Sequence, residues 1–368
     1  MASPTQTHGE FDDLAARLRG NTLHIPNLLT IFVGWPGGVN ARLEDLRDEI
    51  NGRMLGSVIS DPAKIKKYTH ADFGFLTSTW FPNATWSRLK VAAAFFVWAF
   101  VWDDEVDVGE NEIDNEISGS KELVRLYCEQ SLACAYKALR LGYDEIRFPP
   151  PGSSPVRSMA LFEEFAKGLR GQDKGQRDLV RREVELLILQ VVVESNRRQD
   201  GSMPTPEQYM CNRSGTVGAT CLLSIVDFMN GFKLPKWVME SREMGHIWEE
   251  TCSICYIIND VYSFKKEMDV GTFHNLIPVL FHAQGTNEIG GAMNRILEMM
   301  QQAYETFEAA AASLLSRAKG DRQLCENLQA YFDTCRTFTT GHILWSLESK
   351  RYGLKQYLQA DSSIIIPL

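Results

Sequence analysis

The chain has 368 residues, 44% of them apolar, and a formal net charge of −9. That is enough apolar material for a large core, and the acidic balance excludes nucleic acid as a partner, because binding there needs clustered Lys and Arg against phosphates. Eight cysteines without a secretory signal read as reduced thiols, and the lone Cys252-x-x-Cys255 lacks the second pair that a zinc site requires.

Met1–Gly20 is polar, has no apolar segment of the signal-peptide kind, and is expected to be mobile ahead of a single catalytic domain over residues 21–368. Leu23–Asn40, with Pro26 and Trp35-Pro36-Gly37-Gly38, reads as an irregular strap. Helical spacing of apolar residues predicts helices over Arg42–Leu55, Trp86–Trp102 and Lys121–Leu141. The unbroken apolar run Val91–Trp102 has 12 residues. About 20 are needed to span a bilayer, so it is a buried helix, and the chain is expected to be soluble and cytoplasmic, with no membrane span. Phe148-Pro149-Pro150-Pro151-Gly152-Ser153-Ser154-Pro155 breaks the helices and reads as a surface connection. Arg182–Gln199 is a further helix. Thr205 as N-cap and Pro206 at the first helical position start the next one. Trp237–Val270 follows, Gly271–Asn275 interrupts, and a final helix runs from Arg322 to Arg351. The tail Ser363–Leu368 is apolar, short and matches no lipidation signal. Strand patterns are scarce and no repeat is visible, so the fold class is all-α, a helical bundle.

Two polar clusters carry the chemistry. On a helix Asn259, Ser263 and Glu267 fall at i, i+4 and i+8, within about 80° of one another, so three oxygen ligands share a face. A plain polar stripe would account for them, but Ile254, Tyr256, Ile257, Ile258, Val261 and Phe264 make the surrounding helix apolar and imply burial. Asp103-Asp104-Glu105-Val106-Asp107 ends the run Val91–Trp102. Carboxylates at a helix C-terminus oppose the macrodipole and repel one another, and a bound cation compensates; a helix that continues weakens the first objection but not the second. Oxygen-only ligands select a hard cation such as Mg²⁺, which shares its coordination sphere with substrate phosphates. The implied substrate carries a diphosphate.

The two clusters resemble the aspartate-rich motif and the NSE motif, N-D-x-x-S-x-x-K-E, of class I terpene synthases, the second matched in full by Asn259–Glu267. Arg213 stands 46 positions before Asn259, where the family's diphosphate-sensing Arg is found, and Trp345-Ser346-Leu347-Glu348-Ser349-Lys350-Arg351-Tyr352 is similar to its R-Y pair preceded by a tryptophan. The likeness covers roughly residues 25 to 355 and is strongest to fungal-type sesquiterpene cyclases. It implies a class I α-helical bundle and three Mg²⁺ ions held by Asp103, Asp107, Asn259, Ser263 and Glu267. Arg213, Lys266, Arg351 and Tyr352 would bind diphosphate, with Asp103, Arg213, Arg351 and Tyr352 as the catalytic set. Asp104 would pair with Arg351 on closure. Ser214-Gly215-Thr216-Val217-Gly218 stands where the family breaks a helix, with Thr216 in the place of an acidic linker. Phe96 and Phe100, on the Asp103 face of their helix, and Cys252, Cys255 and Trp345 are the pocket candidates. The expected substrate is farnesyl diphosphate, with shorter and longer prenyl diphosphates left open, and the expected state is a monomer or homodimer. A chain-elongating prenyl transferase is the alternative within the fold, although it normally carries a second aspartate-rich motif where Asn259–Glu267 stands; a non-catalytic helical binding protein is the other.

Overall fold

The structure is a computed structural model that describes residues 4–106, 117, 119–141 and 156–368. Asp107 and the Phe148–Pro155 connection lie outside the described residues. The chain divides into two compact units, one from Met1–Gly37, Asp200–Ser214 and Leu234–Leu368, the other from Gly38–Gln199 and Gly215–Lys233. Helices dominate both, as expected for an all-α chain. Among the described residues no helix is long and apolar enough to cross a membrane.

The second unit is built on a helix over Trp86–Val106, four residues longer than the apolar pattern suggested. It is apolar almost all round and is buried accordingly, from Leu89 through Ala92–Trp98 to Trp102. One side packs on the Met159–Gly168 helix, with Phe95 against Phe165 at 5.2 Å and Trp98 edge-on to Phe162 at 4.8 Å. The approach is close: a Cβ on Gly168 would lie 2.2 Å from Val91 Cγ2. The other side meets the Phe73–Trp80 helix, through Trp80 with Phe96 at 5.1 Å and Phe73 with Phe100 at 4.7 Å. The helix expected over Arg42–Leu55 is divided into Leu43–Glu49, a π-helical turn over Ile50–Met54, and Leu55–Val58. Asn51 and Gly52, both poor helix formers, sit in that widened turn.

In the first unit, Pro4–Leu18 is a helix whose Leu14 and Leu18 are fully buried, in the stretch that was expected to be mobile. The strap, read as irregular, and the short apolar tail contain strands: β1 (Thr22–Ile25) pairs antiparallel with β2 (Ile364–Pro367), Leu23 opposite Ile366 and Ile25 opposite Ile364. Those four side chains are buried while His24 and Ile365 are exposed, the period-two pattern of a half-buried ribbon. Four residues at each end of a chain are too few to show that alternation by themselves.

Three long helices, Arg242–Asp269, Gly290–Arg317 and Arg322–Glu348, carry the unit. Ser241 and Asp321 cap the first and last by accepting from Met244 and Leu324 amides at 3.2 and 3.0 Å. The strap is pinned to the bundle by Trp35 Nε1 donating to Glu308 at 2.8 Å and by Thr340 Oγ1 donating to the Pro36 carbonyl at 2.7 Å. Arg336 forks onto Glu308 with both bonds at 2.9 Å. The last helix stops at Glu348, not Arg351, because Ser349 turns extended; Arg351 and Tyr352 lie on the turn before Gly353, whose φ is 63°.

Asp227, on the Val226–Asn230 helix of the second unit, is buried, and burial pushes its pKa up to about 6 against the amide of Phe228 and the charge of Lys233. The folded state therefore holds this proton more tightly than the unfolded chain, and stability falls as pH rises from the ordinary carboxyl range through about 6. Asp227→Asn is expected to raise unfolding free energy by about 3 kcal/mol at neutral pH and by almost nothing well below pH 4. Urea melts of both proteins at the two pH values measure the difference.

Candidate active site

The Asn259 cluster is held within the first unit by one buried carboxylate that the sequence reading did not single out. Asp260 accepts from Arg213 Nε at 3.0 Å, from the Tyr209 hydroxyl at 2.6 Å and from the Leu276 amide at 3.0 Å. Tyr209 and Arg213 are four residues apart on the Pro206–Thr216 helix, so both reach the same partner. That helix begins with a reciprocal cap, the Gln208 amide donating to Thr205 Oγ1 at 3.3 Å and the Thr205 amide to Gln208 Oε1 at 3.2 Å. Its end is the expected break: it stops at Thr216, and Gly218, at φ 70°, opens a new helix over Ala219–Leu223.

Anchored through Nε, Arg213 sends Nη2 to Asn259 Oδ1 at 2.7 Å. Asn259 in turn donates from Nδ2 to the Tyr352 hydroxyl at 3.1 Å, and the Tyr352 ring meets Trp345 edge-on at 5.6 Å and lies 5.9 Å from the Arg351 guanidinium. The structure thus brings Arg213, Asn259, Trp345, Arg351 and Tyr352 into one constellation. Ser263 and Glu267 continue down the same face as Asn259, with Glu267 accepting from Asn275 Nδ2 at 2.9 Å. Asn275 also donates to the Asp260 carbonyl at 2.7 Å while its Oδ1 caps the Leu276–Gln284 helix. Burial, and after it the nearby Asp260, push the Glu267 carboxyl up, against hydrogen bonds from Ser263 and Asn275 and the charge of Arg213. Lys266 stands beside Glu267 on the same helix, partly exposed. Cys252 and Cys255 are buried, and burial likewise pushes the Cys255 thiol well up. His342, one turn before Trp345 and 5.7 Å from its ring, is held near a pKa of about 3 by burial and the charge of Arg213, and is a neutral imidazole.

The donor set explains why, among the described residues, no group of three or more His, Cys, Asp or Glu side chains forms a metal site: two of the three expected ligands are Asn and Ser. Three oxygens on one helical face, one of them a carboxyl group, suit an oxygen-seeking dication. Asn259 Oδ1 already faces a guanidinium, and its second lone pair remains available to such an ion.

In the second unit the acidic cluster is divided among different partners. The helix runs through Asp103 to Val106. Asp104, the expected closure partner, accepts from Lys67 Nζ at 2.9 Å and the Tyr68 hydroxyl at 2.7 Å. Glu105 accepts from Tyr127 and, at 3.1 Å, from Ser158, and burial pushes its carboxyl up. Asp103 lies near Cys128, whose thiol its charge helps to raise to about 12 after burial and Glu129. Phe96 is buried and Phe100 half-buried beneath this end of the helix. Asp260, Tyr209, Asn275 and His342 were missed in the sequence. The available signals were the Asp inside the NSE match and Tyr209 one helical turn before Arg213.

Residues 94–306 match the family model described as terpene synthase family 2, C-terminal metal binding. That is more than half of the chain, and the chain belongs to this family: it is a class I terpene synthase, an enzyme of the terpene cyclase type with a metal-binding domain. It is 26% identical over 361 residues to the sesquiterpene cyclase hepA of Aspergillus oryzae, covering 96% of this chain and 95% of that one. It is 27% identical over 358 residues to the terpene cyclase braA of Annulohypoxylon truncatum, with 96% and 92% covered. The fold is shared with the linalool/nerolidol synthase of Streptomyces clavuligerus, at a TM-score of 0.71, 20% identity, and 87% and 99% coverage.

Replacing Arg213 by Ala strands the Asp260 carboxylate in the interior, which is expected to cost about 3–5 kcal/mol of stability. Adding Asp260→Asn should recover most of that loss, since an amide needs no counter-charge. Denaturant melts of the single and double variants read the coupling.

Proposed function

We propose that the protein is a Mg²⁺-dependent sesquiterpene cyclase that ionises farnesyl diphosphate, working with three Mg²⁺ ions in the cytoplasm as a monomer or homodimer. The observation that carries the reading is the Asp260–Arg213–Asn259–Tyr352 chain, in which a candidate metal ligand is bonded directly to two candidate diphosphate binders.

Asn259, Ser263 and Glu267 would hold one metal, and Asp103 and Asp107 would supply ligands to the others. When bound, divalent ions neutralise charge developing on the leaving diphosphate. The chain's own part is orientation. Asp260 fixes the plane of the Arg213 guanidinium, so that its Nη groups offer the planar fork that matches phosphate oxygens. Lys266, Arg351 and Tyr352 add two charges and a hydroxyl donor. Trp345 would offer an aromatic face to a carbocation in the first unit, and Phe96 and Phe100 are the candidates for the same role in the second, each contributing about 0.5–2 kcal/mol.

Incubation with Mg²⁺ and geranyl, farnesyl or geranylgeranyl diphosphate, with diphosphate and volatile products measured, tests the reading. Farnesyl diphosphate alone is expected to give a cyclised product, with no need for isopentenyl diphosphate. Asp103→Asn and Asn259→Ala should each lower turnover roughly 100-fold while leaving the melting temperature almost unchanged. Undiminished turnover by chelated wild-type protein would sink the metal assignment.

A further inference from the structure

Inside a helix a buried Ser or Thr hydroxyl ordinarily turns back to the carbonyl one turn earlier. This chain does so repeatedly: Thr251 to Ile247 at 2.6 Å, Thr77 to Phe73 at 2.7 Å, Ser131 to Tyr127 at 2.9 Å and Thr334 to Ala330 at 2.9 Å. Thr339 and Ser346 depart from the habit. Both are fully buried in the Arg322–Glu348 helix, yet neither Thr339 Oγ1 nor Ser346 Oγ has a partner among the described residues, and the same holds for buried Ser349 Oγ just past the helix end.

Their position gives these hydroxyls meaning. The Arg242–Asp269 and Arg322–Glu348 helices run alongside one another with Trp248 Nε1 bonded to the Tyr331 hydroxyl at 2.7 Å, an offset of 83 positions. The same offset matches Cys335 with Cys252, whose charges act on each other, and puts His342 level with Asn259, in keeping with the influence of Arg213 on His342. Carried one turn further it sets Ser346 level with Ser263. Thr339 and Ser346 lie four and eleven residues after Cys335 and so on its face, the one turned to Cys252 on the motif helix. Buried hydroxyls in native proteins find partners, and where protein supplies none the partner is water.

We infer that Thr339, Ser346 and Ser349 bind water beside the point of ionisation, and that this water ends the reaction, so that the product is a terpene alcohol. The inference rests on the reading that the chain ionises a prenyl diphosphate. A lone pair of the water oxygen forms the new C–O bond to the carbocation. The resulting oxonium loses one proton to an oxygen of the diphosphate just released, and no oxidant or reductant takes part.

Turnover of the full chain with Mg²⁺ and farnesyl diphosphate in ¹⁸O-labelled water, followed by mass spectrometry, tests this. An alcohol carrying ¹⁸O is expected, with Ser346→Ala and Thr339→Val each raising the hydrocarbon-to-alcohol ratio at least about ten-fold. A wholly hydrocarbon product with diphosphate released overturns the water site and leaves the cyclase reading standing. Labelled alcohol whose share neither variant alters also overturns it, by placing the water elsewhere. No diphosphate release from any of the three prenyl diphosphates overturns both. A crystal structure needs no turnover: ordered water on the Thr339 and Ser346 hydroxyls supports the inference, and hydroxyls turned back onto the carbonyls of Cys335 and His342 overturn it.

Discussion

The carboxylate of Asp260 is a charge placed in a protein interior, and the arrangement of the first unit follows from the need to balance it. Burying such a group unpaired is costly enough that the fold must bring it donors. Arg213 and Tyr209 come from one helix and the Leu276 amide from the start of another, and neither is the helix that carries Asp260. One side chain therefore fixes the Pro206–Thr216 helix, the motif helix and the start of Leu276–Gln284 against one another. The choice of Nε for the bond to Asp260 matters for function, because it leaves Nη2 to reach Asn259. A guanidinium held in this way loses little further freedom on meeting a phosphate, which is the sense in which a site is preorganised.

The acidic cluster of the second unit follows a related logic with a different outcome. Asp104 and Glu105 are adjacent, yet one is matched by a lysine and a phenol and the other by two hydroxyls, with its carboxyl pushed up by burial. Like charges on neighbouring residues are tolerated because their surroundings differ. Glu105 thereby ties the end of the Trp86–Val106 helix to Tyr127 and Ser158.

What could be read from the sequence was whatever repeats at helical spacing. Asn259, Ser263 and Glu267 stand one turn apart amid apolar neighbours, so their shared face was plain. The run Val91–Trp102 announced a buried helix, and Thr205-Pro206 its own cap. Partnerships across the chain were not legible: nothing local in Asp260 names Arg213 or Leu276, and β1 finds β2 some 340 residues away as four-residue strands. The end of the last helix was misjudged because Ser349-Lys350-Arg351-Tyr352 contains no residue that forbids helix. The stop is set where Ser349 turns extended, four residues ahead of left-handed Gly353. Asp104, expected to pair with Arg351 on closure, is held here by Lys67 and Tyr68, local donors that a motif does not report.

The most direct test is a crystal structure of the wild-type protein with Mg²⁺ and inorganic pyrophosphate. The account predicts Arg213 Nε still on Asp260, its Nη groups moved from Asn259 Oδ1 onto pyrophosphate oxygens, and a metal ion on Asn259, Ser263 and Glu267. Pyrophosphate bound with Arg213 still on Asn259, or a metal ion that ignores those three oxygens, would contradict it.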